Sequence, residues 1–196
     1  KMGKKKKNPF RSTSTHKFYT PENHSQGIFD DFAERKVLAT KEFAGNCIFV
    51  QGGMCFGGLS LYDNVTADTI ASGSFVQLTR FDTNSPYNLT LPDHTNDHIE
   101  IIKAGVYKVM LSVSFSGTGS VTWTGGIFKN NGSTQLTNLQ TARKLGATGD
   151  VGSASISGIA EFSVGDTVEV WFKHLEGVDK NITVKHCTLS VMQIGG

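Results

Sequence analysis

Apolar and polar residues alternate along most of the C-terminal half of the chain. In Gly105–Phe115 every second side chain is apolar, and the positions between them include a lysine and two serines. A period of two is typical of a strand that buries one face and exposes the other. Similar segments separated by turns predict an all-β fold, a two-sheet antiparallel sandwich or jelly roll. The predicted strands are Cys47–Gln51, Met54–Tyr62, Phe75–Arg80, Tyr87–Leu91, His98–Lys103, Gly105–Phe115, Ser120–Lys129, Gln135–Arg143, Ala154–Val164, Thr167–Leu175 and Ile182–Ile194.

The N-terminal part of the chain lacks this alternation. Residues 1–27 are rich in Lys, Ser, Thr and Asn and contain too little apolar surface to form a core, so they predict a largely extended, flexible arm. Residues 28–46 contain one candidate helix, Ile28–Leu38, followed by a linker. The remaining residues, 47–196, are expected to form the jelly-roll domain.

Positive charge is concentrated in the arm. The chain has 19 Lys and Arg residues against 17 Asp and Glu residues, and seven of the basic residues but none of the acidic ones lie within residues 1–17. A cationic arm is therefore joined to an acidic body, and two interpretations stay open: an anchor on a partner, or a solubilising tail. Aromatic residues are sparse among the lysines, so nucleic-acid binding is not expected. The candidate docking residues are Lys4, Lys5, Lys6, Lys7, Arg11 and Lys17.

Several function classes lack their usual sequence signals. No apolar run is long enough to span a membrane, and the basic N-terminal segment is not followed by the apolar stretch of a secretory signal. Three cysteines, Cys47, Cys55 and Cys187, favour buried thiols over a disulfide framework. Because no nucleophile, nucleotide-binding or metalloprotease motif is present, neither enzymatic activity nor a cofactor is expected.

Two groups of titratable residues need separate consideration. Asp93, His94, Asp97 and His98 lie within six residues and carry ligand types that suit a divalent metal, although a solvated turn is the favoured interpretation. The second group, His174, His186 and Cys187, contains a thiol and two imidazoles. No third orienting residue accompanies this group, so packed or surface histidines are favoured over a catalytic pair.

Two strands suggest a subunit interface. In Thr167–Leu175 the inward positions are apolar, so Trp171 is predicted to face outward, as a subunit anchor or as a sugar-stacking platform. The closing segment Ile182–Ile194 is predicted to be apolar on both faces, with Leu189 and Val191 on one and Met192 on the other. A strand buried on both sides needs a second sheet or a neighbouring subunit to cover it. The candidate interface residues are therefore Trp171, Leu189, Val191 and Met192.

Three short patterns lie at separate places in the chain: Gly105 and Tyr107, then Gly165, Asp166 and Val168, then the closing Leu189–Ile194. Together they resemble the jelly roll of the tumour necrosis factor and complement globular-head superfamily. In that superfamily a Gly-x-Tyr pattern opens a long central strand, a Gly-Asp-x-Val turn follows a serine-rich strand, and an apolar strand ends the chain inside the sandwich. The resemblance implies a compact homotrimer, and it favours a subunit contact for Trp171 over a sugar-stacking platform.

A further segment resembles the entry to such domains in bacteriophage structural proteins, through Leu61–Ile70 and Gly73–Val76. This resemblance implies a non-enzymatic virion protein, a trimeric capsid decoration or a spike or fibre head attached to other virion proteins through residues 1–46. Two alternatives stay open. One is a tail-fibre tip that binds a host receptor or glycan through loops at Asp82–Tyr87 and Ala147–Gly152. The other is a shell-forming capsid protein whose basic arm binds the genome.

Overall fold

The computed structural model describes residues 54–196, which form twelve strands in two antiparallel sheets. The predicted arm, the helix Ile28–Leu38 and the strand Cys47–Gln51 lie outside the described residues. Residues 54–196 contain no helix that could cross a membrane. The strands are β1 Phe56–Leu61, β2 Asp68–Ile70, β3 Val76–Gln77, β4 Thr83–Asn84, β5 Thr90–Asp93, β6 His98–Ile101, β7 Gly105–Gly117, β8 Thr122–Lys129, β9 Thr134–Lys144, β10 Val151–Phe162, β11 Thr167–Lys173 and β12 Lys180–Gly195.

Each of the two sheets has six strands. In the first, here called the β12 sheet, the order is β10-β7-β12-β1-β4, with β2 also paired to β12. In the second, the β11 sheet, the order is β5-β6-β11-β8-β9, with β3 also paired to β11. The predicted all-β jelly-roll sandwich is confirmed.

The core lies between the two sheets and follows the predicted alternation. Tyr107, Leu111 and Phe115 on β7 are each at most 2% exposed, and Val168 and Phe172 on β11 are equally buried. Rings from the two sheets meet edge to face. The Phe115 and Phe172 rings pack in this way, with their centroids 6.0 Å apart. Apolar burial at every second position on both sheets therefore holds the sandwich together.

The closing strand β12 departs from its predicted pattern. A register shift between Val184 and His186 inserts one extra residue, a β-bulge, against β7. Because the side-chain period is two, the bulge turns Cys187, Leu189 and Val191 to the same side as Val184, and all four face the core. The prediction of two apolar faces is wrong, since β12 has one fully buried face and a mixed outer face.

Shorter strands also differ from the predicted ones. Only Val76–Gln77 of the predicted strand Phe75–Arg80 is paired, and the predicted Tyr87–Leu91 is replaced by β5, which starts later at Thr90. The difference at Tyr87–Leu91 has a local cause. Leu89 has a left-handed φ of 52°, which interrupts an extended chain. Periodicity cannot show such a break in a segment of this length.

Candidate functional site

The outer side of the β12 sheet carries a row of large side chains across four adjacent strands. Phe56 pairs with Met192, Met192 with Lys108, and Lys108 with Ile159. Phe56 and Ile159 are 37% and 54% exposed, and Met192 is half-buried. Side chains directly opposite each other on a sheet face lie about 5 Å apart, so these four form one continuous row. The outward surface of β10, β7, β12 and β1 is called the contact face below.

Beyond this row the contact face becomes level and polar. The next rows consist mainly of small hydroxyl side chains, which are Ser157 and Ser190 on either side of Met110, and then Ser155, Ser112, Thr188 and Ser60. Small side chains leave the sheet surface flat, so another protein surface can approach it closely. The contact face thus combines an apolar row with a field of hydroxyl groups that can donate and accept hydrogen bonds.

The four predicted interface residues do not lie on one surface. Leu189 is 0% and Val191 is 1% exposed, so both are core residues that a neighbouring subunit cannot reach. Met192 lies on the contact face, whereas Trp171 lies on the outer side of the β11 sheet, across the sandwich. The bulge in β12 explains the correction for Leu189 and Val191, because it fixes which face of the strand meets the core.

Trp171 belongs to an aromatic cluster within its own chain. Its ring centroid is 5.3 Å from that of Phe128, which in turn is 4.7 Å from that of Phe75. The Nζ atom of Lys173 lies 4.4 Å from the Phe75 centroid, a cation–π geometry. The indole N–H of Trp171 donates to Glu169 at 3.3 Å. Much of the Trp171 surface is therefore already used inside the chain.

Glu169 is a fully buried carboxylate on the same side of β11 as Trp171. It does point away from the core, but the β8–β9 turn folds over it and leaves it 0% exposed. The backbone N–H groups of Asn131 and Gly132 donate to it at 2.9 and 3.0 Å, and Thr167 Oγ1 donates as well. Successive N–H groups in left-handed residues form a concave anion site, a nest, and here the anion is the chain's own carboxylate.

Asp166, in the Gly-Asp-x-Val segment, fastens the same turn from the side. Its carboxylate accepts hydrogen bonds from Lys129 Nζ at 3.0 Å, from Asn130 Nδ2 at 2.9 Å and from the Ser163 N–H at 2.9 Å. Burial raises the pKa of Asp166, but these hydrogen bonds outweigh it and hold the pKa below its ordinary value. Asp166 and Glu169 together tie the β8–β9 turn to β11, an arrangement called the turn clasp below.

The Gly-x-Tyr segment has a similar structural role at the start of β7. A Cβ atom on Gly105 would overlap the side-chain amide of Gln193, so this position has no room for a larger residue. Gln193 Nε2 donates to the Ala104 carbonyl at 3.0 Å, and Gln193 Oε1 accepts from the Cys55 thiol at 2.9 Å. The hydroxyl of Tyr107 donates to the Lys103 carbonyl at 2.6 Å. The motif therefore joins β1, β7 and the end of β12.

The acidic and histidine-rich group between β5 and β6 forms a hairpin turn. Asp93 accepts from the Thr95 N–H at 2.9 Å and from Asn96 Nδ2 at 2.7 Å, and the Asn96 side chain lowers the pKa of Asp93. Asp97 is 6% exposed and accepts from the Phe81 N–H at 2.8 Å, while burial raises its pKa. Within residues 54–196 no group of three His, Cys, Asp or Glu side chains is arranged to hold a metal ion.

The structure does not bring His174, His186 and Cys187 together. Cys187 faces the core, where burial raises the pKa of its thiol, and His186 lies on the opposite side of the strand. His186 Nδ1 accepts from the Asp63 N–H at 3.2 Å. His174 is 0% exposed and uses both ring nitrogens, donating to the Ile70 carbonyl at 2.8 Å and accepting from the Glu176 N–H at 3.2 Å. These histidines support loops and do not activate the thiol.

The sequence matches no family model and no characterised protein. Solved structures do match. The Eiger TNF of S. frugiperda superposes with a TM-score of 0.53 at 13% identity, covering 72% of this chain and 94% of that one. The fold is a TNF-like jelly roll. Murine APRIL at pH 5.0 is also similar, with a TM-score of 0.48 at 13% identity over 72% of this chain and all of that one.

The TNF-like fold agrees with the resemblance that the Gly-x-Tyr and Gly-Asp-x-Val segments carry. It does not bear on the docking residues Lys4, Lys5, Lys6, Lys7, Arg11 and Lys17, which lie outside the described residues. Sequence analysis missed the contact-face row at Phe56, Lys108 and Ile159. The signal was present in the alternation of β1, β7 and β10, but only the pairing register shows that these positions are neighbours.

Proposed function

We propose that this protein is a non-enzymatic assembly protein with a homotrimeric TNF-like head, and that residues 1–46 attach it to other proteins of a bacteriophage virion. The contact face is the observation that carries the proposal. Phe56, Met192 and Ile159 present an apolar row on a flat sheet that the rest of residues 54–196 leaves uncovered. Oligomers are commonly built from such self-complementary or heterologous patches.

The row also contains one charged side chain. Lys108 stands between Met192 and Ile159. Glu161 is exposed on the same face, on the neighbouring strand β10, two residues after Ile159. In a threefold arrangement, one copy's edge strand β10 packs on the contact face of the next copy. This brings carboxylate and ammonium groups of different subunits within range of each other.

The virion assignment has a different support. It comes from the segments Leu61–Ile70 and Gly73–Val76, which resemble the entry to such domains in phage structural proteins, and from the seven basic residues within residues 1–17. In the favoured arrangement the arm docks on an acidic surface of the capsid or tail, and the head projects from the particle. Exposed charge contacts of this kind weaken as salt rises.

The oligomeric state tests the proposal. Light scattering of the full-length protein at micromolar concentration is expected to give the mass of a trimer. Met192→Lys adds a charge to the middle of the apolar row and is expected to give monomers with an unchanged far-ultraviolet spectrum, because Met192 lies outside the core. Leu175→Lys is the matched control, since Leu175 is 75% exposed in the β11–β12 loop. A wild-type protein that is monomeric under these conditions would contradict the trimeric head.

A receptor-binding tip is the second candidate, and the β11–β12 loop favours it. Leu175 and Val178 are 75% and 64% exposed there, so this loop presents two large aliphatic side chains to a partner. The copy number in purified particles separates the two functions, because a decoration protein is abundant and a tip is rare. A shell-forming capsid protein would instead assemble with nucleic acid in isolation.

A further inference from the structure

The tip of the β8–β9 turn contains the dipeptide Asn131–Gly132, a pair that tight hairpin turns favour. Asn130, Asn131 and Gly132 are all left-handed, with φ of 57°, 55° and 77°. The backbone N–H groups of Asn131 and Gly132 form a nest, which the Glu169 carboxylate occupies. The side chain of Asn131 itself is exposed to solvent.

An Asn-Gly pair is chemically labile because glycine places no side chain in the way of ring closure. The backbone nitrogen of the glycine attacks the Cγ carbon of the asparagine, its proton is lost, and the side-chain nitrogen leaves as ammonia. A cyclic succinimide remains, and water opens it at one of its two carbonyls. The products are aspartate and isoaspartate, and no oxidant, metal or cofactor is needed.

The turn clasp blocks the first step in two ways. In the left-handed region ψ is about +30 to +60°, which places the Gly132 nitrogen on the far side of the Cα–C bond from the Asn131 side chain. Ring closure therefore requires the peptide plane to rotate. That rotation withdraws the Gly132 N–H from Glu169, to which it donates at 3.0 Å.

We propose that Asn131 is a latent deamidation site that the buried Glu169 carboxylate keeps unreactive while the turn clasp is closed. Trp171 contributes by covering the carboxylate and donating its indole N–H to it. Conversion to isoaspartate adds a methylene group to the backbone between the two N–H groups that donate to Glu169. That product does not fit the nest, so an opening event that leads to isoaspartate is recorded permanently in the chain. This proposal does not depend on the oligomeric state or on the virion assignment.

Peptide mapping by mass spectrometry tests it directly. The full-length protein is incubated in mildly alkaline buffer at physiological temperature, and the amide-to-acid conversion at Asn131 is followed over time. The folded protein is expected to convert about tenfold or more slowly than the same protein in denaturant, because a hydrogen bond to an ionised group must break first. Glu169→Gln is expected to convert faster than wild type by a similar factor, since Gln offers one acceptor oxygen where Glu offers two.

Glu176→Gln is the matched control and should convert at the wild-type rate, because Glu176 is exposed in the β11–β12 loop, away from the turn. Equal rates for folded and denatured wild type would overturn the proposal, and so would a folded Glu169→Gln variant that converts as slowly as wild type. Should Glu169→Gln fail to fold, the comparison of folded with denatured wild type decides alone.

Discussion

Asp166 shows how one side chain in a short turn organises two elements. It receives hydrogen bonds from Lys129 on β8, from Asn130 in the β8–β9 turn and from Ser163 in its own turn. The partially exposed ion pair with Lys129 by itself contributes little, but the three donors act on one carboxylate. The main role of Asp166 is therefore to fix the position of the turn, because no single one of its contacts is strong.

Asp166→Asn is expected to destabilise the protein at neutral pH, because an uncharged amide offers one acceptor oxygen where the carboxylate offers two to Lys129, Asn130 and Ser163. The pKa of Asp166 is lowered in the folded state, so its contribution is present above the unfolded value of about 3.9 and is lost as the pH falls through the folded value. Chemical denaturation of variant and wild type should thus show a difference at neutral pH that shrinks in acid. A difference that stays constant from neutral pH to below the unfolded pKa would contradict this role.

At the same scale, the sequence predicts residue orientation better than residue burial. Alternation along β11 correctly turns Glu169 and Trp171 away from the core. It cannot show that the β8–β9 turn, which is distant in sequence, folds back over Glu169, because that burial depends on three consecutive left-handed residues. Asn130-Asn131-Gly132 signals a tight turn, but not the anion that the turn binds.

Among the elements, β7 lies between β10 and β12 in the β12 sheet and has 13 residues. Its inward side chains face the core on every second position, whereas Ser112 on the outward side is exposed. A strand of this kind contributes to stability through one face only. Substitutions at adjacent positions of β7 are therefore expected to differ in their effect on stability, large on the inward face and small on the outward face.

Leu111→Ala is expected to lower the free energy of unfolding by about 2–5 kcal/mol, the usual cost of a large-to-small change in a packed core. Leu111 is 2% exposed, so the cavity left behind cannot be filled by solvent. Ser112→Ala, the adjacent position on the other face, should change the free energy of unfolding by less than about 0.5 kcal/mol. Urea denaturation of both variants measures this, and similar values for the two would mean that the faces have been misassigned.

The elements also show where pattern analysis fails. Strong alternation over ten or so residues was sufficient to predict β7, β8 and β11 near their observed positions. The bulge in β12 was not predictable, because an inserted residue looks like a second apolar face when the register is unknown. Short strands such as β2 and β4 depend on pairing with a neighbour and carry too few residues to show a period.

For the whole molecule, the two sheets present different outer surfaces. The contact face on the β12 sheet is flat, with an apolar row and many hydroxyl groups, whereas the β11 sheet carries the Trp171 cluster that is closed by contacts within the chain. This asymmetry favours assembly through one sheet and leaves the other toward solvent. The fold class was predictable from serial alternation, but which sheet would be left uncovered followed only from the three-dimensional register.

The basic arm should do a different job from the head, because its charge is opposite in sign to that of the rest of the chain. Deleting residues 1–27 removes all seven basic residues of the first seventeen and no residue of the two sheets. The truncated protein is therefore expected to remain folded and trimeric while failing to join the particle. Binding of the full-length protein to particles that lack it should weaken as salt rises, since charge contacts at a surface are screened over about 8 Å at physiological ionic strength. Quantifying both forms in purified virions tests this, with a charge-preserving variant of the arm, lysine to arginine throughout, as the control. Incorporation of the truncated protein at the wild-type copy number would show that the arm is a solubilising tail, and that the anchor lies within the jelly roll.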